Sequence, residues 1–300
     1  MRIAAIKIIL FTIFFVLIDL LSRPVFMSLM ANAKPSAMKN MYDITINCKK
    51  DIIVLGSSRA MHHYDSRIIA DSLKMTCLNC GAMSNGIVLM YGRYKLLTRH
   101  HNPKIIIYDV HPPFDLIESD NSKYIPTLRP FAEDASIKKL FSRIDKWENL
   151  KCLCSLYRFN SLLPELLSVN FKEDKSLFDG YAPLYNIKEF TPPISQQTKK
   201  NIDIKYDSLK ISLFKEMIED CQKRNIKLVF VISPSYHKNL IEEAEPIFQL
   251  CNEYKTPLLC YDSGRFPIEE KYFFDSSHLN DLGAKHFTNM FIVDLLKYQY

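Results

Sequence analysis

From Asp51 onward the chain alternates short, unbroken apolar runs with longer stretches in which apolar residues recur at helical spacing. Ile52-Ile53-Val54-Leu55 stops abruptly at Gly56, and Cys77-Leu78-Asn79, Lys104–Tyr108, Lys227–Ser233 and Pro257–Tyr261 are similar runs. A run of this kind, bounded by turn residues, is the pattern of a strand buried on both faces, as in a parallel sheet. Between the runs, Asp65-Ser66 opens a stretch through Lys74 with Ile68, Ile69 and Leu73 on one face. Asn85-Gly86 opens another that buries Val88, Leu89, Tyr91, Leu96 and Leu97, and Ile202–Arg224, His237–Tyr254 and Leu282–Tyr298 continue the series. Strands alternating with helices predict an α/β fold built on a doubly wound parallel sheet.

The N-terminus has a different pattern. Ile3 to Leu21 is apolar except for Lys7, Thr12 and Asp19, long enough for one membrane crossing of roughly 20 residues. Lys7 and Asp19 lie near its ends, where charged groups reach the headgroups. A cleaved signal peptide would have a shorter core, about 7–15 residues, followed closely by a small-x-small site. Ala31-Asn32-Ala33 lies too far along to fit well, so residues 1–23 are expected to be an uncleaved anchor. Arg2 and Lys7 are balanced by Arg23, Lys34 and Lys39, so the positive-inside rule does not decide sidedness. Residues 24–50 read as a connector and 51–300 as one domain, with Met27 to Met30 able to continue the first helix.

Residues 112–201 interrupt the alternation. They hold the only tryptophan, Trp147, and the proline pairs Pro112-Pro113 and Pro192-Pro193, with helical patterning from Ser136 to Leu167. Such an insertion serves either as a lid or acceptor-binding cap beside the site, or as packing on the membrane side.

Composition narrows the classes. A chain of 300 residues, 48% hydrophobic and 24% charged, is that of a folded domain. The net charge of +6 is dispersed, and Lys138-Lys139 and Lys199-Lys200 are short clusters, not a basic stripe interleaved with aromatics. Nucleic acid is therefore not an expected partner. Eight cysteines include Cys77-x-x-Cys80, but no second close pair has zinc spacing, and a redox motif would open a helix where Cys77 sits in a strand. The cysteines in apolar stretches read as small hydrophobes, and no metal site is expected. His100 and His101 end a helix, where imidazoles partner the terminal carbonyls.

Candidate chemistry lies at Gly56-Ser57-Ser58-Arg59, beyond the carboxyl end of the first strand, where open α/β sheets bind ligands. A serine there is a nucleophile if a base reaches it, although these residues also make ordinary turns. Far along the chain, Asp275-Ser276-Ser277-His278 places a carboxylate three residues before an imidazole. An Asp so placed can orient the ring and stabilise its cation. Asn280 or Asp281 caps the helix that follows.

Together these stretches resemble the SGNH/GDSL hydrolase family, which carries Gly-Asp-Ser or Gly-Ser-Ser after the first strand and Asp-x-x-His near the C-terminus. The resemblance implies Ser58 as nucleophile, His278 as base and Asp275 as orienting acid. Asn79-Cys80-Gly81 is similar to the family's second block, which implies that the N–H groups of Ser58 and Gly81 form the oxyanion hole. The family's Gly-x-Asn-Asp block is missing, since the third strand runs Ile105-Ile106-Ile107-Tyr108-Asp109-Val110-His111. His111, at that edge, is the candidate replacement donor, and Asp109 a lesser one. Arg59 would either meet an acidic substrate group or hold its turn by bonding carbonyls.

The resemblance implies a flavodoxin-like three-layer α/β/α fold and a membrane-anchored serine esterase or O-acyltransferase acting on cell-surface carbohydrate. It implies an extracytoplasmic catalytic domain, periplasmic or at the cell surface, with no metal or organic cofactor. A different class stays open, a non-catalytic surface or assembly protein that kept the fold. The missing third block favours that class, and the retained Ser, Asp and His oppose it.

Overall fold

The computed structural model of the chain describes residues 2–34, 36–117, 120–171, 177–187, 204–236, 241–261 and 265–298. Pro192-Pro193, Lys199-Lys200, residues 202–203 and the expected helix start at His237 lie outside these. The apolar runs form β1 (Ile52–Gly56), β2 (Cys77–Asn79), β3 (Ile105–Asp109), β4 (Lys227–Ile232) and β5 (Leu258–Cys260). They pair in the order β2-β1-β3-β4-β5, every pairing parallel. The chain steps from β1 outward to β2, then returns across β1 to β3. Strand order therefore reverses between β1 and β3, the switch point where open sheets leave a crevice.

The helices, in chain order, are α1 (Arg2–Ala31), α2 (Ala37–Ile46), α3 (Ser58–His63), α4 (Ser66–Leu73), α5 (Ile87–Leu97) and α6 (Ala135–Ile144). They continue with α7 (Glu148–Lys151), α8 (Ser155–Phe159), α9 (Leu163–Phe171), α10 (Ser208–Lys223), α11 (Glu245–Tyr254) and α12 (Asp281–Lys297). Successive strand residues point to opposite faces of the sheet. Ile53, Leu55, Ile106, Tyr108, Phe230 and Ile232 join one core with residues of α5, α10 and α11. Ile52, Val54, Ile107, Val229 and Val231 join the other with Ile69 of α4 and Phe287, Phe291 and Leu295 of α12. Two cores on one sheet make three layers, the α/β/α architecture expected. Boundaries moved where a cap decided them. Asp207 accepts from the N–H groups of Leu209 and Lys210 and starts α10 at Ser208, later than the periodicity implied.

The short helix α3 was not evident in the pattern, because all six of its residues are buried and no polar face marks it. The stretch read as a connector is helical over most of its length. α1 runs on through Pro24 to Ala31, and Ser36 caps α2 by accepting from Lys39 N–H at 3.1 Å. Met38, Met41 and Ile44 of α2, spaced three apart, enter the first core together with Met30 of α1.

The apolar first half of α1 is exposed along its length and is a candidate membrane span. Contact with the rest of the protein begins at Asp19, whose carboxylate accepts from the N–H groups of Ser155 at 2.9 Å and Leu156 at 2.8 Å. Arg23 pairs with Glu133, and the Phe26 and Phe159 rings sit 5.0 Å apart. Helices α8 and α9 thus pack against the end of α1. A later part, residues 177–187, runs beside α3, where Ala182 N–H donates to Met61 O at 3.1 Å.

Met30 lies outside the apolar run yet has no solvent exposure. Met30→Ala should destabilise the detergent-solubilised full chain by about 2–5 kcal/mol, the range for emptying a buried Met site. Urea midpoints at unchanged m measure it, and a wild-type midpoint would mean that α1 only tethers the fold.

Candidate active site

β1 ends in a backbone conformation open to glycine. Gly56 has φ +141°, and a Cβ there would lie 2.6 Å from Asp109 O and 2.9 Å from the Ala60 Cβ. This brings the end of β1 against the end of β3 and turns the chain directly into α3. Ser57 is fully buried and caps that helix, its Oγ accepting from Arg59 N–H at 3.3 Å. Ser58 follows as the first helical residue. Its N–H, like others in a first turn, has no intrahelical acceptor.

The second component comes from the loop ahead of α12. Phe273 and Leu279 form an antiparallel bridge, and Phe274 N–H donates to His278 O at 2.8 Å, closing a tight loop. Inside it, Asp275 Oδ1 accepts from the N–H groups of Ser277 at 2.8 Å and His278 at 2.9 Å. The same oxygen lies 2.9 Å from His278 Nδ1, and His278 Nε2 lies 2.8 Å from Ser58 Oγ. Asn280 caps α12, its Oδ1 accepting from Gly283 N–H at 2.9 Å. The structure thus brings together Ser58, His278 and Asp275, three residues drawn from opposite ends of the domain.

Protonation follows from the partners. Burial works to raise the pKa of Asp275, but the bonds from His278 and from backbone N–H groups outweigh it and hold the carboxyl down at about 2. An ionised Asp275 places the ring proton on Nδ1, leaving Nε2 free to accept from the Ser58 hydroxyl.

Arg59 is fully buried and points away from the triad. Its Nη2 donates to the carbonyls of Ser233 and Pro234, and Nε and Nη2 donate to Ser233 Oγ at 3.2 and 3.0 Å. Of the two roles open to it, the structure shows the one that bonds carbonyls. Asp109, buried at the end of β3, lies 3.9 Å from Arg59 Nε and accepts from Tyr64 O–H at 3.0 Å and Ser233 N–H at 3.1 Å. It is held inside this network.

Sequence reasoning assigned no part to His62 or His63. His63 is fully buried, and its Nε2 accepts the N–H of Leu279, next to His278, at 3.0 Å. Its proton therefore sits on Nδ1 and is donated to Ser233 Oγ at 2.9 Å. His62 donates from Nδ1 to Ala182 O at 2.6 Å, and its ring lies edge-on to that of His278 at 5.4 Å. The only signal in the sequence was that both histidines follow the serine by one helical turn. Nothing in it paired His63 with Leu279.

The oxyanion donors divide. Gly81 is required where it stands, since a Cβ would come within 2.4 Å of Met61 N. Its N–H, however, donates to Asn79 Oδ1 at 3.0 Å, while Asn79 Nδ2 bonds the carbonyls of Ala60 and Tyr64. The donor expected at Gly81 is thus engaged in fastening β2 to α3. His111 differs, because its buried Nδ1 has no hydrogen-bond partner among the described residues. Its backbone N–H donates to Asp115 Oδ2 at 2.7 Å, which fixes the residue. Burial, with Arg59 and His278 nearby, pushes its pKa down to about 3, so the ring is neutral near pH 7.

A cleft of ≈ 720 Å³ opens elsewhere, between α2 and residues 177–180, and contains none of the triad. Its Lys39 and Lys50 are paired with Asp43 and Asp179, and no base stands beside a nucleophile there. Cys77 and Cys80 are buried, and burial pushes the Cys80 thiol up to about 12 and Cys77 higher, far from a reactive thiolate.

No family model matches the chain, and no curated protein sequence matches it. Among solved structures, the chain is similar to an acetyl xylan esterase at 11% identity and TM-score 0.41, over 81% of this chain and 98% of that one. It is also similar to a protein from Streptococcus pneumonia described as a platelet activating factor, at 9% identity and TM-score 0.45, over 99% of each chain. Both likenesses are distant, and neither bears on activity.

His63 connects site geometry to pH. Burial pushes its pKa well below the ordinary 6.5, so the native state refuses a proton that the unfolded chain accepts. The stability this neutral ring provides is complete above pH 6.5 and is lost as pH falls below it. His63→Leu, which leaves Leu279 N–H unpaired, should cost about 1–3 kcal/mol near neutral pH. That deficit should shrink on acidification, because only the wild type loses the His63 contribution. Urea midpoints of the two proteins across this range check it, and a deficit independent of pH would contradict the reading.

Proposed function

We propose that this protein is a serine-dependent acyl-ester enzyme of SGNH type, anchored to a membrane by α1. The observation that carries the proposal is the continuous line from Asp275 through His278 to Ser58, with contacts of 2.9 and 2.8 Å. Ser58 Oγ attacks an ester carbonyl while its proton passes to His278 Nε2. The imidazolium is stabilised by the Asp275 carboxylate. When the tetrahedral intermediate collapses, the ester C–O bond breaks and the leaving alcohol takes the proton from Nε2. An acceptor hydroxyl then repeats the sequence on the acyl-Ser58. Water as acceptor gives an esterase, and a sugar hydroxyl gives an O-acyltransferase. Cell-surface carbohydrate is the substrate class carried over from the family resemblance, with the domain from about Asp51 onward on the extracytoplasmic side.

The Ser58 N–H and the unpartnered His111 are the donors we assign to the oxyanion. A neutral imidazole can donate one N–H without bringing a full charge into the site, and preorganised donors of this kind are a major source of rate acceleration.

A fluorophosphonate probe tests the nucleophile on the full chain. Wild type should be labelled at Ser58, and Ser58→Ala should lose both labelling and ester turnover. Ser57→Ala should stay labelled, because Ser57 is buried as a helix cap. Asp275→Asn should lower kcat on the order of 10⁴-fold by disturbing the imidazole tautomer. An unlabelled wild-type protein, folded by circular dichroism, would favour a non-catalytic role.

Removing one oxyanion donor typically lowers turnover about 10²–10³-fold. His111→Ala should show a loss of that order in kcat with KM little changed, since the donor acts on the transition state. A change below about threefold would leave His111 a structural residue beside Pro112-Pro113.

A further inference from the structure

Near the place where α1 meets the domain, the surface carries large apolar side chains that are more than half exposed. Trp147 is 55% exposed, Leu150 58% and Leu153 71%. They share one side of the α7 segment, at spacings of three residues. The other side faces inward, with Glu148 and Cys152 buried, and Glu148 bonded to Arg129 Nε at 2.6 Å and Tyr157 O–H at 3.0 Å. Their exposure therefore belongs to an anchored element and is not the result of a loose loop.

The position of this face indicates what covers it. Leu153 adjoins Cys154, Ser155 and Leu156, the three residues that contact the Asp19 carboxylate. Asp19 is the point at which α1 stops being an exposed apolar rod and joins the fold. If α1 crosses a bilayer, the headgroup layer lies at about this level and the α7 face borders it. Its chemistry suits that layer. Trp is enriched at membrane–water interfaces. Exposed Lys146, with Nζ 5.3 Å from the centre of the Trp147 ring, flanks it with a cation that can reach lipid phosphates, while Lys151 is paired with Asp145 at 2.6 Å.

We propose that Trp147, Leu150 and Leu153 seat the domain on the lipid bilayer from which α1 emerges. This makes a second contact that, with α1 already packed into the fold, fixes the tilt of the domain on the bilayer. The inference rests on α1 as a membrane span, and the acyl-ester chemistry does not enter it.

Trp147 is the only tryptophan in the chain and reports on its own surroundings. The full chain is reconstituted into phosphatidylcholine–phosphatidylglycerol vesicles, with and without brominated acyl chains. Brominated lipid should remove most of the Trp147 emission, while aqueous iodide should quench it little. Leu150→Glu combined with Leu153→Glu should restore emission in brominated vesicles and open Trp147 to iodide. Quenching by iodide but not by brominated lipid in the wild type would overturn the proposal. Protection from both would overturn it in favour of a protein occupant such as a second copy. Carbonate extraction of the same vesicles separates the premise from the inference. Release of the chain defeats both, whereas retention without bromine quenching defeats the seating alone.

Discussion

A guanidinium removed from water needs partners in the protein, and Nε and Nη2 of Arg59 find them at the far side of the crevice, while Nη1 has none among the described residues. Its bonds to Ser233 and Pro234 tie the start of α3 to the end of β4. Ser233 Oγ also accepts from His63, which in turn holds the backbone of Leu279. Asp109, whose pKa is raised by burial against the pull of Arg59, joins the same group through Tyr64 and Ser233. Buried polar groups bring heavy costs when a partner is removed, which gives such a network few alternative arrangements. Ser58 and His278 are thus held by one connected set of hydrogen bonds beneath them, because each directly precedes a residue of that set, Arg59 and Leu279.

The same economy of position operates at the N-terminus. The last three turns of α1 enter the fold through Asp19, Arg23, Phe26 and Met30. Removing them, as cleavage after Ala33 would do, would strip the cap from α8 and a buried side chain from the core. The insertion that interrupts the α/β alternation is used in two places. Its α8 and α9 pack on the end of α1, and its later portion runs past His62 to Asp281, where Asp281 N–H donates to Leu184 O at 2.7 Å.

The active edge itself depends on close approaches that only particular residues permit. Gly56 lets β1 touch β3, and Gly81 lets the loop after β2 reach α3. Asn79 then completes the junction with bonds in both directions. The family-like Asn-x-Gly block works here as a structural clasp between β2 and α3.

Local pattern determined the strands, most of the helices and the parallel sheet, because continuous apolar runs and 3.6-residue periodicity follow directly from how strands and helices bury their faces. It also pointed to the serines after β1 and to the Asp275-to-His278 spacing, while the choice of Ser58 came from the family resemblance. What it could not contain were the contacts between residues far apart in sequence. The α3 helix was hidden because it is buried all round. α2 was hidden because its apolar residues make sense only against α5, and His63 because its partners lie more than one hundred and fifty residues away. Whether the Gly81 N–H is free, and which serine of Ser57-Ser58 faces the imidazole, are questions of direction in space. Only the packing of β1, β2 and α3 against the loop before α12 decides them, because a hydrogen bond is set by where its atoms meet and not by their order in the chain.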